Sequence, residues 1–169
     1  MFKKTSVNAI RGLVAVIGAG LPLAGALADD SASMTVTAQV NDTCTVGTTN
    51  TVDFGVIDPA IDNDVASTIE FSCTLGFSPQ MIIDSGANGA DVNSRAMING
   101  AGDLLDYQLY TNAAGGTVWG DTAGTGKTVT GTGLLNTATT DVYGRVAQAD
   151  AAVAPGGNYS DTVLVTILF

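Results

Sequence analysis

The chain has 169 residues, enough for one domain of ordinary size, with 6 Lys and Arg against 16 Asp and Glu and no His, a formal charge of −10. So acidic a chain repels phosphate backbones and anionic lipid, which argues against nucleic acid as a partner. The absence of His removes Ser-His-Asp and Cys-His arrangements, His-ligated metals and the usual general base near neutral pH. With 46% hydrophobic and 13% charged residues, the composition describes a folded, Thr/Ala/Gly-rich β protein rather than an enzyme, and points to no catalytic residue, metal or cofactor.

In chain order, residues 1–11 hold Lys3, Lys4 and Arg11, and Leu13 to Leu27 is a run of apolar and small residues. The run ends in Ala26-Leu27-Ala28, followed at once by Asp29-Asp30. That is the pattern of a secretory signal peptide cleaved after Ala28. The run is shorter than the roughly 20 residues that span a bilayer, and Pro22 and three glycines interrupt it. The expected product is residues 29–169, exported and without membrane insertion. It keeps three cations, Arg95, Lys127 and Arg145, against all sixteen carboxylates, a charge of −13.

Residues 31–40 alternate without exception: Ala32, Met34, Val36, Ala38 and Val40 on one face, Ser31, Ser33, Thr35, Thr37 and Gln39 on the other. This is the pattern of a half-buried strand. On periodicity alone it reads as the first strand of the domain's own sheet. Further strands are expected at 51–57, 67–75, 80–84, 104–111, 128–135, 139–146 and 162–169, separated by Gly-, Asn-, Asp- and Pro-rich turns. Regularly spaced short strands of this kind suggest one antiparallel β-sandwich.

Cys44 and Cys73 are the two cysteines, and in an exported chain disulfides persist. Their bond would close a loop of about 30 residues and contribute roughly 3–4 kcal/mol in the chain-entropy model. Two free thiols or a metal pair are the alternatives, and the second lacks further ligands. At the C-terminus Val163, Val165, Ile167 and Phe169 share a face, while Leu164 and Leu168 make the other face partly apolar. Such a strand is either central or an edge to which another strand is added.

Other groups carry less. Asp58, Asp62 and Asp64 read as solvated loop charge rather than a Ca²⁺ loop, and Gly124-Thr125-Gly126-Lys127-Thr128 lacks the spacing of a P-loop. Tyr107, Tyr110, Trp119 and Tyr143 read as core or rim packing rather than a sugar-binding patch. Arg95 and Arg145 read as internal partners of Asp side chains.

Nine strings in order resemble the spore coat protein U domain family, which includes pilin subunits of archaic chaperone–usher pili. They are Cys44-Thr45-Val46, Val52-Asp53-Phe54-Gly55, Phe71-Ser72-Cys73-Thr74, Asp84-Ser85-Gly86, Arg95-Ala96-Met97, Leu105-Asp106-Tyr107-Gln108-Leu109-Tyr110, Trp119-Gly120-Asp121, Val142-Tyr143-Gly144-Arg145 and Gly157-Asn158-Tyr159-Ser160-Asp161-Thr162-Val163. Thr122 stands where many relatives carry Gly, and the tail ends on Phe169 where Tyr is frequent.

The resemblance implies an all-β, immunoglobulin-like antiparallel sandwich that is incomplete, lacking its last strand. A periplasmic chaperone would fill the gap first. As an outer-membrane usher adds subunits, the donor strand of an identical or related subunit would then replace the chaperone strand, giving a homopolymeric surface pilus for adhesion and biofilm formation. The implied organisation is a signal peptide at 1–28, a donor segment and linker at 29–43 and the pilin body at 44–169. Ala32, Met34, Val36, Ala38 and Val40 become donor side chains that act in a neighbouring subunit. Val163, Val165, Ile167 and Phe169 become the groove-edge strand that pairs with chaperone or donor. Cys44, just after the linker Asn41-Asp42-Thr43, would clamp the start of the body's first strand. The alternative is a non-polymerising secreted coat-like or carbohydrate-binding sandwich whose residues 31–40 complete their own domain.

Overall fold

The computed structural model describes residues 29–169, so the signal-peptide expectation for residues 1–28 lies outside the described residues. The chain divides at Ala38 and Gln39 into two units. In the first, residues 29–38 are exposed and form neither strand nor helix. The second is built from β1 (Cys44–Thr49), β2 (Asn63–Cys73), β3 (Gln80–Ile83), β4 (Arg95–Ile98), β5 (Leu104–Tyr110), β6 (Lys127–Thr128), β7 (Ala138–Val146), a one-turn helix α1 (Gln148–Ala151) and β8 (Val165–Leu168).

All pairings are antiparallel. One sheet runs β1-β2-β7-β5-β4 and the other β6-β3-β8. The longest ladder joins β2 and β7, in register from Asn63 opposite Val146 to Phe71 opposite Ala138. Period-2 alternation puts Ile69, Phe71 and Cys73 of β2, Leu105, Tyr107 and Leu109 of β5, and Val142 and Val146 of β7 on the buried face. Met81 and Ile83 of β3 face them from the second sheet. The fold is therefore the all-β, immunoglobulin-like sandwich that the sequence suggested.

Two buried side chains tie the sheets together. Trp119, with no exposed surface, donates its main-chain N–H to the Leu109 carbonyl (2.9 Å) and its indole N–H to the Met81 carbonyl (2.8 Å). Lys127 lies over the indole ring, 5.4 Å from its centre. Arg95, also fully buried, uses all five of its N–H donors. They reach the carbonyls of Asp84, Val92, Ile83 and Trp119 and the Oε1 of Gln108, at 2.6–3.1 Å.

This corrects the expectation of an Asp partner for Arg95: the main-chain carbonyls at the end of β3 and in the loops at Val92 and Trp119 are what need donors here. Arg145 does pair with acids, holding Asp64 through two bonds of 2.6 and 2.7 Å, with Asp62 at 3.3 Å. Asp62 and Asp64 are thereby engaged as ion-pair partners, and Asp62 also caps the N–H of Gln148 (2.9 Å).

The strand expectations differ from the structure in five places. Residues 34–40 form no strand, because alternation specifies a face and not a partner. Residues 51–57 keep the alternation only at half-buried Val52 and Phe54; Asp53 accepts the N–H of Gly55 (2.8 Å) and Gly55 has φ +62°, which turns the chain out of any ladder and shifts the phase, so that Val56 is exposed and Ile57 half-buried. Residues 128–135 yield only the short β6, since Gly131 and Gly133 bond instead to the irregular carbonyls of Phe77 and Cys73. Strands β1 and β4 were not expected; a buried Arg and a Gly at 47 disguise their hydrophobic pattern.

Candidate functional site

Between the sheets lies an open cavity of about 1020 Å³, at the upper end of the roughly 300–1,000 Å³ typical of ligand pockets and large for interiors that ordinarily pack without voids beyond the size of a water. Its floor is apolar: Ile69, Ile83, Leu105, Leu109 and Val142. One wall is the unpaired run 51–57, with Val52 and Phe54 turned inward, and the other is the run from Tyr159 to Val165. The first wall is seated closely on β7, because Gly144 leaves room for it. A Cβ on that glycine would lie 2.8 Å from the Phe54 ring and 2.9 Å from Val52.

Strand β8 borders the same opening. It pairs with β3 from Ile83 opposite Val165 to Gln80 opposite Leu168. Its other main-chain edge has no strand partner among the described residues. Val163, Val165 and Ile167 are half-buried and pack on the core, and the first two line the cavity. Phe169 stands apart. It is 71% exposed and meets Phe77 edge-on, 6.0 Å between ring centres.

The start of β8 is held by two carboxylates. Asp84 accepts the N–H groups of Leu164 (2.8 Å) and Gly86 (3.0 Å), and its own N–H donates to the Leu164 carbonyl (3.1 Å). Asp161 accepts the Tyr107 hydroxyl (2.7 Å), the Ala87 N–H (2.9 Å) and the Asn88 side-chain amide (2.8 Å). Burial, and then the bond to Asp161, push the Tyr107 phenol well above its ordinary pKa, so it stays a donor. Gly86, at φ +81°, is required here because any Cβ would strike the Asp161 carboxylate. Ser160 adds a two-bond bridge to Ile98 of β4. The edge is thus unpaired yet rigidly placed.

At the other end of the molecule Cys44 and Cys73 are joined, 29 positions apart. The expected bond is present, clamping β1 to the end of β2. The five residues Ala32, Met34, Val36, Ala38 and Val40 are all exposed, the three larger ones by more than four-fifths. Of the expected aromatic group, Trp119 and Tyr107 are buried in the core, while Tyr110 and Tyr143 are half-buried. Sequence reasoning passed over Val52, Phe54 and Asp161 as site residues. Their signal lay in the strings Val52-Asp53-Phe54-Gly55 and Ser160-Asp161-Thr162, read there only as family marks.

The family model of the Spore Coat Protein U domain matches residues 30–166. The chain belongs to the spore coat protein U domain family. Among curated relatives, Protein U of Myxococcus xanthus is 32% identical over 183 aligned positions, covering 96% of this chain and all of that protein. Among solved structures, the chain resembles the CsuC–CsuE chaperone–tip adhesion subunit pre-assembly complex from the archaic chaperone–usher Csu pili of Acinetobacter baumannii. There the TM-score is 0.53 at 20% identity over 77% of this chain. The chain spans about 40% of the length of that structure's matched chain, and the likeness is one of fold. Within the family's immunoglobulin-like sandwich, the open cavity marks the place of an absent strand.

Proposed function

We propose that this chain is a structural subunit of an archaic chaperone–usher pilus, exported through the periplasm and polymerised on the cell surface by donor-strand exchange, for adhesion and biofilm formation. One observation carries the reading: a sandwich with an apolar groove beside an unpaired, firmly held strand edge, in a chain whose residues 31–40 are an exposed strand pattern. Ala32, Met34, Val36, Ala38 and Val40 are the donor side chains. Val163, Val165 and Ile167 edge the groove that receives them, with Phe169 at its end. A periplasmic chaperone occupies the groove first, and an outer-membrane usher exchanges it for the next subunit's donor segment.

Burial of the donor side chains contributes on the order of 5–8 kcal/mol as an upper figure, and each ladder hydrogen bond about 1 kcal/mol net. The protein's role is mechanical rather than catalytic.

The test compares oxidised protein 29–169 with the truncation 41–169, each co-expressed with a chaperone of the same type. After chaperone displacement, thin fibres and heat-sensitive ladders on unboiled denaturing gels are expected for the first and not the second. If both stay monomeric and the longer chain is much the more heat-stable, residues 31–40 complete their own domain, and the protein is a coat-like or carbohydrate-binding module.

A further inference from the structure

Among the exposed apolar side chains of the body, which also include Ile61, Leu104 and Leu164, two groups stand at opposite ends of the sandwich. Leu75, Leu134 and Leu135 are 77%, 50% and 101% exposed. They belong to two loops bonded to each other, Gly76 N–H to the Gly131 carbonyl and Gly133 N–H to the Cys73 carbonyl. Val56 and Val153, 98% and 82% exposed, stand at the other end. Val56 lines the groove, and Val153 lies between its lining residues Ala151 and Ala154. The pilin reading so far uses the groove but gives Leu75, Leu134, Leu135 and Val153 no role.

Chain connectivity brings them together in a polymer. Thr43 is bonded in both directions to Thr74, next to Leu75. Only Asn41 and Asp42 lie between Thr43 and Val40, a span of at most about 10 Å. Whatever molecule accepts the donor segment is therefore held close to the leucine loops. The acceptor's facing end follows from strand direction. Both established neighbours in its second sheet pair antiparallel, and antiparallel addition to β8 gives the more stable ladder. Strand β8 runs from Val165 toward Leu168 and the Phe77 end, so an antiparallel donor leaves the groove at the Val163 end, where Val56 and Val153 lie.

We propose that Leu75, Leu134 and Leu135 of each subunit form a second, head-to-tail contact with Val56 and Val153 of the subunit that holds its donor strand. This rests on the donor-strand reading above. The partner is a second copy of this chain, and because the two patches differ, the contact propagates into a filament instead of closing a dimer. It covers apolar surface that a soluble monomer would leave exposed and limits bending at the three-residue linker.

The experiment uses full-length mature subunits carrying Leu135→Cys and Val153→Cys, assembled into fibres and treated with a short bismaleimide. A ladder that survives boiling is expected, in addition to the heat-sensitive one. In the same background, Leu75→Asp with Leu134→Asp should keep the heat-sensitive ladder, cut the boiling-resistant one by at least about tenfold, and give visibly more flexible fibres by electron microscopy. Heat-sensitive ladders without any boiling-resistant product, or an unchanged product in the Asp variant, overturn the contact while leaving donor-strand exchange intact. Absence of the heat-sensitive ladder from the unsubstituted chain would instead remove the donor-strand reading and this contact with it.

Discussion

At the scale of single residues, Arg95 shows how a charge can be a structural element. Burial lowers its pKa, opposed by Tyr107 and nearby aspartates, yet a guanidinium stays protonated in proteins. Five donors meeting five oxygens is the condition under which such a charge is tolerated. Arg95→Lys keeps the charge but supplies three donors in another geometry. It should destabilise the oxidised monomer by about 3 kcal/mol or more, since buried carbonyls lose their partners, as read from chemical denaturation. Arg145 is a contrasting case, on the surface. Its bonds hold the Asp64 carboxyl below the usual carboxylate range. A depressed folded pKa means that the pair stabilises above the ordinary carboxylate pKa and that its contribution disappears as pH falls through the folded value. Because both side chains are partly solvated, the effect should stay within about 1 kcal/mol. Asp64→Asn should lower the melting temperature slightly at pH 7 and flatten its fall below about pH 4.

At the scale of elements, the groove depends on a wall without strand pairing. Its seat is Gly144, so Gly144→Val should push Val52 and Phe54 out of place. The expected cost is about 1–3 kcal/mol from overpacking, together with weaker capture by the chaperone in pull-down. An equal stability loss with normal capture would separate the wall from binding. The legibility of the sequence divides along the same line. Residues 67–73, 104–110 and 139–146 were readable as strands because each buries one face and pairs on both edges, so local alternation and global fold agree. Residues 51–57 carry the same alternation but build a wall, since Gly55 and the Asp53 cap break the ladder while leaving the apolar face in use. Strand β4 was illegible because its core-facing Arg95 is satisfied by carbonyls from three separate places along the chain, Ile83-Asp84, Val92 and Trp119.

At the scale of the whole molecule, the proposed donor role of residues 31–40 requires that the body be stable without them. Val36 is 84% exposed, so Val36→Asp should leave the melting temperature of the chaperone-free monomer unchanged and abolish the heat-sensitive ladder. A lowered melting temperature would mean that the segment serves its own domain. The Cys44–Cys73 bond acts on the body instead. Replacing both by Ala should cost roughly 3–4 kcal/mol, measured by denaturant titration. In fibres, pulling through Thr43 loads β1 directly, so reduction should make single fibres extend at lower force.

Period-2 alternation, turn residues and paired cysteines act locally, so the sequence by itself determined an all-β chain with its staple, its C-terminal strand and an unusually regular segment at 31–40. The tertiary structure decided which strand edges are left without a partner. It also decided how far Arg95, Trp119, Asp84 and Asp161 lock that edge in place and where the groove opens. Those outcomes depend on contacts between residues tens of positions apart, and a hydrophobic period records which face is buried without recording what lies against it.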